Sequence, residues 1–182
     1  MMEKYSFNFS KPLEGKIKLN IDGNSVYIST EEFSELVKEK LMSSPSVQKV
    51  CQDFEMEADR IKNLRVEIHD LNDNYAETDG NVMKINKLLL EDGNFFDTKF
   101  FIVVHEIVHF LSRQKEEDAY FNDPEEVLGF VLSIAYELEQ GSDVDVIWNR
   151  IYPKVSFHFD DESDARDFFE NMLYKAMKLL RS

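Results

Sequence analysis

Five consecutive residues, His105-Glu106-Ile107-Val108-His109, carry the residue types that a hydrolytic metal site needs. On a helix, positions i and i+4 share a face, so both imidazoles can reach one ion. Zinc accepts neutral imidazole nitrogen readily and lowers the pKa of a coordinated water. Glu106, beside the first histidine, can take that water's proton without ligating the ion. His105 and His109 are therefore candidate ligands of Zn2+, and Glu106 is the candidate general base. With four His in 182 residues, the pattern arises by chance in roughly 1% of sequences of this composition. Its surroundings argue against coincidence. Phe100 to Leu111 is apolar nearly all round, which places the helix in a core. Two histidines and a glutamate there need a partner to offset their desolvation, and a metal supplies one.

A catalytic zinc takes three protein ligands and keeps one position open. His69 sits on the polar side of an alternating stretch and is expected at the surface. His158 is expected at the core edge or surface, and Cys51 on an apolar helical stripe reads as packing. Carboxylates after the motif are better placed. Asp123-Pro124-Glu125-Glu126 opens the next helix, with Glu126 17 positions beyond His109. Asp123 and Glu126 also have capping-box spacing, and Glu125 suits the positive end of a helix dipole, so both carboxylates have a structural use. Glu126 heads a stripe of small residues, Gly129 and Ser133, that lets its helix approach another closely. It is the expected third ligand, with Glu125 the alternative. Tyr120, between the two segments, is a candidate hydrogen-bond donor to a developing oxyanion, or a loop residue that packs.

These residues need a frame. Lys16–Ile21 alternates with period two, Asp22-Gly23-Asn24 has turn chemistry, and Ser25–Ile28 returns as a second strand. Ser29 and Glu32 mark a helix start, with Phe33, Leu36, Val37 and Leu41 on one face. A second helix is expected over Ser46–Ile61. Strands follow at Leu64–His69 and in a hairpin joining Tyr75–Thr78 to Val82–Ile85 across Asp79-Gly80. Helices are predicted over Thr98–Arg113, Pro124–Glu139, Val144–Ile151 and Ser163–Leu180. Strands first and helices later predict one α+β domain over 1–182, strand-rich to about residue 95 and helical from about 96, with a mainly antiparallel N-terminal sheet.

The composition bounds the function. The net charge is 21 − 36 = −15, which repels phosphate backbones and disfavours nucleic acid or an anionic membrane as partner. The longest apolar run, Phe100–Val104, is too short to span a bilayer, and the N-terminus shows no apolar stretch of a secretory signal. A lone cysteine excludes an internal disulfide framework and a multi-cysteine zinc site. The expectation is a soluble, cytoplasmic domain.

Over roughly residues 75–140 the chain resembles the zincin metallopeptidases, specifically the glutamate-ligand group called gluzincins. The resemblance rests on the hairpin ending in Val82–Asn86, the His105–His109 helix, and the Tyr120…Asp123-Pro124-Glu125-Glu126 segment. It implies a zincin-like fold, a zinc-dependent peptidase and Glu126 as third ligand. It also implies a peptide or protein substrate paired along strand Val82–Asn86, which fits β-augmentation. The metzincin extension is absent, since Phe110-Leu111-Ser112-Arg113 follows His109, and so is the Asn-Glu-x-x-x-Glu pattern of larger gluzincins. The chain also resembles ImmA/IrrE-type and phage- or plasmid-encoded proteins, which implies the alternative of a metal-stabilised regulatory or structural module without turnover.

Overall fold

The computed structural model describes residues 11–72, 74–112 and 123–181. The fold is α+β, with an antiparallel two-stranded sheet near the N-terminus and a helical C-terminal half. Strands β1 (Lys16–Ile21) and β2 (Asn24–Ser29) pair antiparallel, and Ile21 opposite Asn24 leaves Asp22-Gly23 as a two-residue turn. Asp22 and Gly23 have φ of 50° and 78°, as the favoured hairpin turn requires. The predicted capping box opens helix α1 (Thr30–Ser43): Glu32 N–H donates to Ser29 Oγ at 3.1 Å, and Ser29 N–H to Glu32 Oε2 at 2.7 Å. Its face Phe33, Val37 and Leu41 is buried.

Helix α2 (Pro45–Asp53) is shorter than the apolar stripe predicts. Glu55 adopts a left-handed φ of 53°, Met56 N–H donates to Cys51 C=O at 2.8 Å, and Glu55 N–H to Gln52 C=O at 3.4 Å. This is a Schellman closure built without glycine, so no residue type announces it. A 3-10 helix, Ala58–Asn63, follows.

Strands β3 (Arg65–His69), β4 (Ala76–Asp79) and β5 (Val82–Asn86) form a second sheet in the order β3-β5-β4. β5 runs parallel to β3 and antiparallel to β4, so two of the three strand pairings in the fold are antiparallel. This order corrects the expectation for Val82–Asn86. The strand is central, its backbone groups are consumed on both sides, and it has no free edge for a peptide. The sheet's two edges are β3 and β4, and β4 is the one that lines a cleft. His69 is also corrected: it is 3% exposed, with Nε2 2.9 Å from Glu67 Oε2 on the same strand face. That carboxylate gives the buried ring its polar partner.

Lys99, with φ −132°, splits the long helix predicted from Thr98 into α3 (Phe95–Thr98) and α4 (Phe100–Leu111). Helices α5 (Pro124–Glu139), α6 (Val144–Val155) and α7 (Glu162–Arg181) complete the helical half. Phe33, Phe95, Phe96, Phe100 and Tyr136 stack in one cluster, with neighbouring centroids 5.3–6.0 Å apart. The cluster ties α1, α3 and α5 to α4. In α4 every residue but Glu106 and His109 is buried. Gly129 and Ser133 let α5 press against α4, and Ser133 Oγ donates to Phe101 C=O at 2.9 Å. Among the described residues, no helix is long and apolar enough to cross a membrane.

Candidate metal centre

α4 presents His105, Glu106 and His109, and the first turn of α5 presents Glu125 and Glu126. His105 Nε2 lies 3.1 Å from Glu126 Oε2, and His109 Nε2 lies 3.1 Å from Glu126 Oε1. One carboxylate thus faces both imidazoles, and a ligand atom from each of the three residues falls within 4.8 Å of the others. Zinc bonds of about 2.0–2.2 Å at tetrahedral angles separate neighbouring donors by roughly 3.3 Å. The donor set and its spacing fit such an ion.

Glu126 is not used as a cap. Asp123 Oδ1 accepts the Glu125 N–H at 2.8 Å and caps α5 by itself, which leaves the Glu126 side chain to the histidines. The competing uses of that carboxylate are resolved in favour of the cluster. Glu125 takes a different place, with Oε2 3.3 Å from His109 Nδ1, the nitrogen opposite the one that faces Glu126. It is positioned to orient the ring. Tyr120 lies outside the described residues.

The helix contact fixes His105. A Cβ built on Gly129 would lie 2.8–3.0 Å from the His105 ring atoms, so only glycine lets the ring sit against α5. Phe130 meets the ring edge-on, with centroids 4.8 Å apart. His105 is 2% exposed, and its Nδ1 is buried with no hydrogen-bond partner among the described residues. Burial, followed by the nearby Lys154 charge, pushes its pKa down to about 3. The ring is neutral, the form a metal requires.

His109 is the opposite case. Burial disfavours its charge, but the Glu126 hydrogen bond and the Glu106 and Glu126 charges outweigh that and push its pKa up to about 9. Burial likewise raises the Glu126 carboxyl, and hydrogen bonds from His105 and His109 reverse the effect and hold it well below the usual range. A metal ion must therefore displace one proton, from His109. Below about pH 9 the metal-free site holds that proton, so zinc affinity should climb about tenfold per pH unit through neutrality and flatten above pH 9. Calorimetric titration in buffers of different ionisation enthalpy should read release of close to one proton per zinc at pH 7. Release of none would mean that His109 is already neutral.

A substitution separates the two glutamates. Glu125→Ala should keep one zinc per chain and weaken it roughly 10- to 100-fold, the usual cost of losing the partner of a ligating histidine. A competition titration against a chelator of known affinity measures this. Complete loss of zinc would make Glu125 a ligand.

The cluster opens on a cleft of about 960 Å³. Tyr75 to Thr78 line one side, Glu106, His109 and Glu126 the floor, and Pro153, Lys154, Phe157 and His158 the other side. Thr78 Oγ1 reaches Glu106 C=O at 3.5 Å, which fixes the edge strand against α4. Burial raises the Glu106 carboxyl, with Lys154 opposing, and Lys154 Nζ stands 3.9 Å from Glu106 Oε1. Sequence reasoning missed Lys154. Its one signal was a lysine seven positions after Ile147 and three after Ile151, on the buried face of α6. His158 is exposed on the cleft wall.

No family model matches the chain, and neither a curated protein nor a solved structure matches it.

Proposed function

We propose that this protein is a zinc-dependent hydrolase acting on peptide bonds, a small zincin-like domain of the gluzincin type. The observation that carries the reading is the convergence of His105, His109 and Glu126 beside a cleft that Glu106, His109 and Glu126 line. When bound there, zinc would lower the pKa of a water and polarise the carbonyl to be attacked. The chain supplies the rest. Glu106 accepts the proton of the attacking water on a carboxylate oxygen as that water's oxygen bonds to the carbonyl carbon. It then delivers the proton to the amide nitrogen as the C–N bond breaks. The cleft walls hold the substrate and exclude bulk water. The same proposal extends to a cytoplasmic location, where a lone thiol such as Cys51 stays reduced.

The edge of β4 supplies backbone partners for an extended peptide. Asn86 N–H donates to Tyr75 C=O at 2.9 Å. In this register the closely bonded pairs are therefore Tyr75–Asn86, Glu77–Lys84 and Asp79–Val82. The N–H and C=O groups of Ala76 and Thr78 turn outward, beside the cleft. Ala76→Pro removes one outward donor while sparing the sheet, because proline is tolerated where the N–H faces away from the ladder. KM for a cleaved peptide should rise roughly tenfold, as loss of about one good hydrogen bond implies, with zinc content unchanged. An unaltered KM would move the peptide away from β4.

The non-catalytic reading requires a fourth protein ligand or a closed cleft. Among the described residues the cluster brings together three candidate ligands, and the cleft is open. Digestion of a peptide library by the zinc-loaded protein, read by mass spectrometry before and after chelation, tests the choice. Cleavage that disappears on chelation supports the hydrolase. Tight zinc with no cleavage supports the module.

A further inference from the structure

Among the described residues, Lys154 stands on the cleft wall with its charge left without a hydrogen bond. It belongs to α6, near its C-terminal end, with its stem packed inward and its side chain only 17% exposed. Its Nζ lies 5.9 Å from the Phe130 ring centroid, so one side of the ammonium rests on an aromatic face. Its nearest carboxylate, Glu106, is 3.9 Å away, too far for a hydrogen bond. Among the described residues no acceptor comes within hydrogen-bond distance of Nζ. A sequestered ammonium is costly unless something accepts its protons. The opening beside it is the cleft.

The other carboxylates of the cleft are engaged. Glu77 pairs with Lys84 at 3.0 Å, and Glu126 faces the two histidines. That leaves Glu106 and Lys154 as neighbours that attract each other without touching. The separation suits a reaction in which negative charge leaves the first and appears beside it. As water adds to a carbonyl carbon, its proton neutralises Glu106, and the carbonyl π pair moves onto the carbonyl oxygen. The two oxygens of the resulting tetrahedral carbon are close neighbours. The groups that hold them must be close neighbours too, with space between.

Resting on the hydrolase reading above, we propose that Lys154 is a catalytic residue, whose ammonium donates a hydrogen bond to the carbonyl oxygen of the scissile peptide as that oxygen becomes an oxyanion. No bond to Lys154 forms or breaks, and its protons stay on nitrogen. Its long-range attraction to Glu106 in the resting site gives way to a charged hydrogen bond in the transition state, so the interaction accelerates the chemical step more than it tightens binding.

Lys154→Met keeps the length and apolar stem, and Lys154→Arg keeps the charge. For a peptide cleaved by the wild type, Lys154→Met should lower kcat roughly 10²-fold, the cost of one oxyanion donor. KM should change little, zinc should remain at one per chain, and Lys154→Arg should recover part of the rate. A second readout needs no turnover. A phosphinic pseudopeptide carries a tetrahedral anion in place of the scissile amide, and its affinity for zinc-loaded Lys154→Met should fall about as far as kcat. If Lys154→Met does not fold, the same phosphinic peptide should protect Lys154 of the wild type from acetylation, read by mass spectrometry.

Unchanged kcat and unchanged phosphinate affinity would overturn the proposal, as would absence of protection. A loss confined to peptides with a free C-terminal carboxylate, absent for their amides, would overturn it in favour of terminus recognition. Failure of the hydrolase reading itself appears earlier and separately, as wild-type protein that takes up no zinc or cleaves no peptide, and the role of Lys154 falls with it.

Discussion

Glu106→Gln should abolish nearly all hydrolysis while leaving zinc in place. Glutamine preserves the size and shape of a side chain that is 14% exposed, so the packing of α4 against β4 is retained. It cannot take a proton. Positioned general acid–base groups contribute on the order of 10² to 10⁴ in rate, and kcat should fall within that range. Glu106 is not part of the His105, His109 and Glu126 cluster, so metal stoichiometry should match the wild type. Cleavage kinetics with parallel elemental analysis give both numbers. Wild-type rates in Glu106→Gln would remove the base from the mechanism, and loss of zinc would make Glu106 a ligand.

Glu126→Ala should act on the metal and through it on stability. Among the described residues, Glu126 supplies the only carboxylate that faces both histidines, 3.1 Å from each Nε2. Zinc that binds the folded chain stabilises it by about 2.7 kcal/mol at a hundredfold excess over Kd. For a chain of this size that corresponds to a melting temperature about 5–10 °C higher. In Glu126→Ala the zinc-dependent rise should vanish, and no bound zinc should survive dialysis. Helix α5 should still form, because its cap is Asp123. A variant that keeps both zinc and the thermal shift would place the third ligand elsewhere.

The candidate cluster was legible because spacing alone decides which side chains share a helical face. His105 and His109 could be paired from their separation. The stripe of Gly129 and Ser133 indicated that the Glu126 face would meet another helix. Gly129 does so closely enough that a Cβ there would strike His105. The capping-box pattern at Asp123 was a misleading signal, and geometry resolved it, since a carboxylate between two imidazoles gains more than one on an exposed N–H. The strand order was not legible. Local alternation identifies Val82–Ile85 as a strand, but only the parallel, non-local pairing with Arg65–His69 makes it central. The Schellman turn at Glu55 used no glycine, and His69 was drawn inside by a pairing with Glu67 that alternation cannot show. Lys154 escaped notice because its neighbour Glu106 lies 48 positions earlier in the chain.

The central claim is that His105, His109 and Glu126 hold one zinc ion with a position left for chemistry. X-ray absorption at the zinc edge of the reconstituted wild-type protein tests it most directly. One zinc per chain is expected, with nitrogen and oxygen neighbours at about 2.0–2.2 Å, imidazole scattering from two histidines and no sulfur. A sulfur shell near 2.3 Å, scattering from a third imidazole, or failure of the metal-free chain to take up zinc would contradict it.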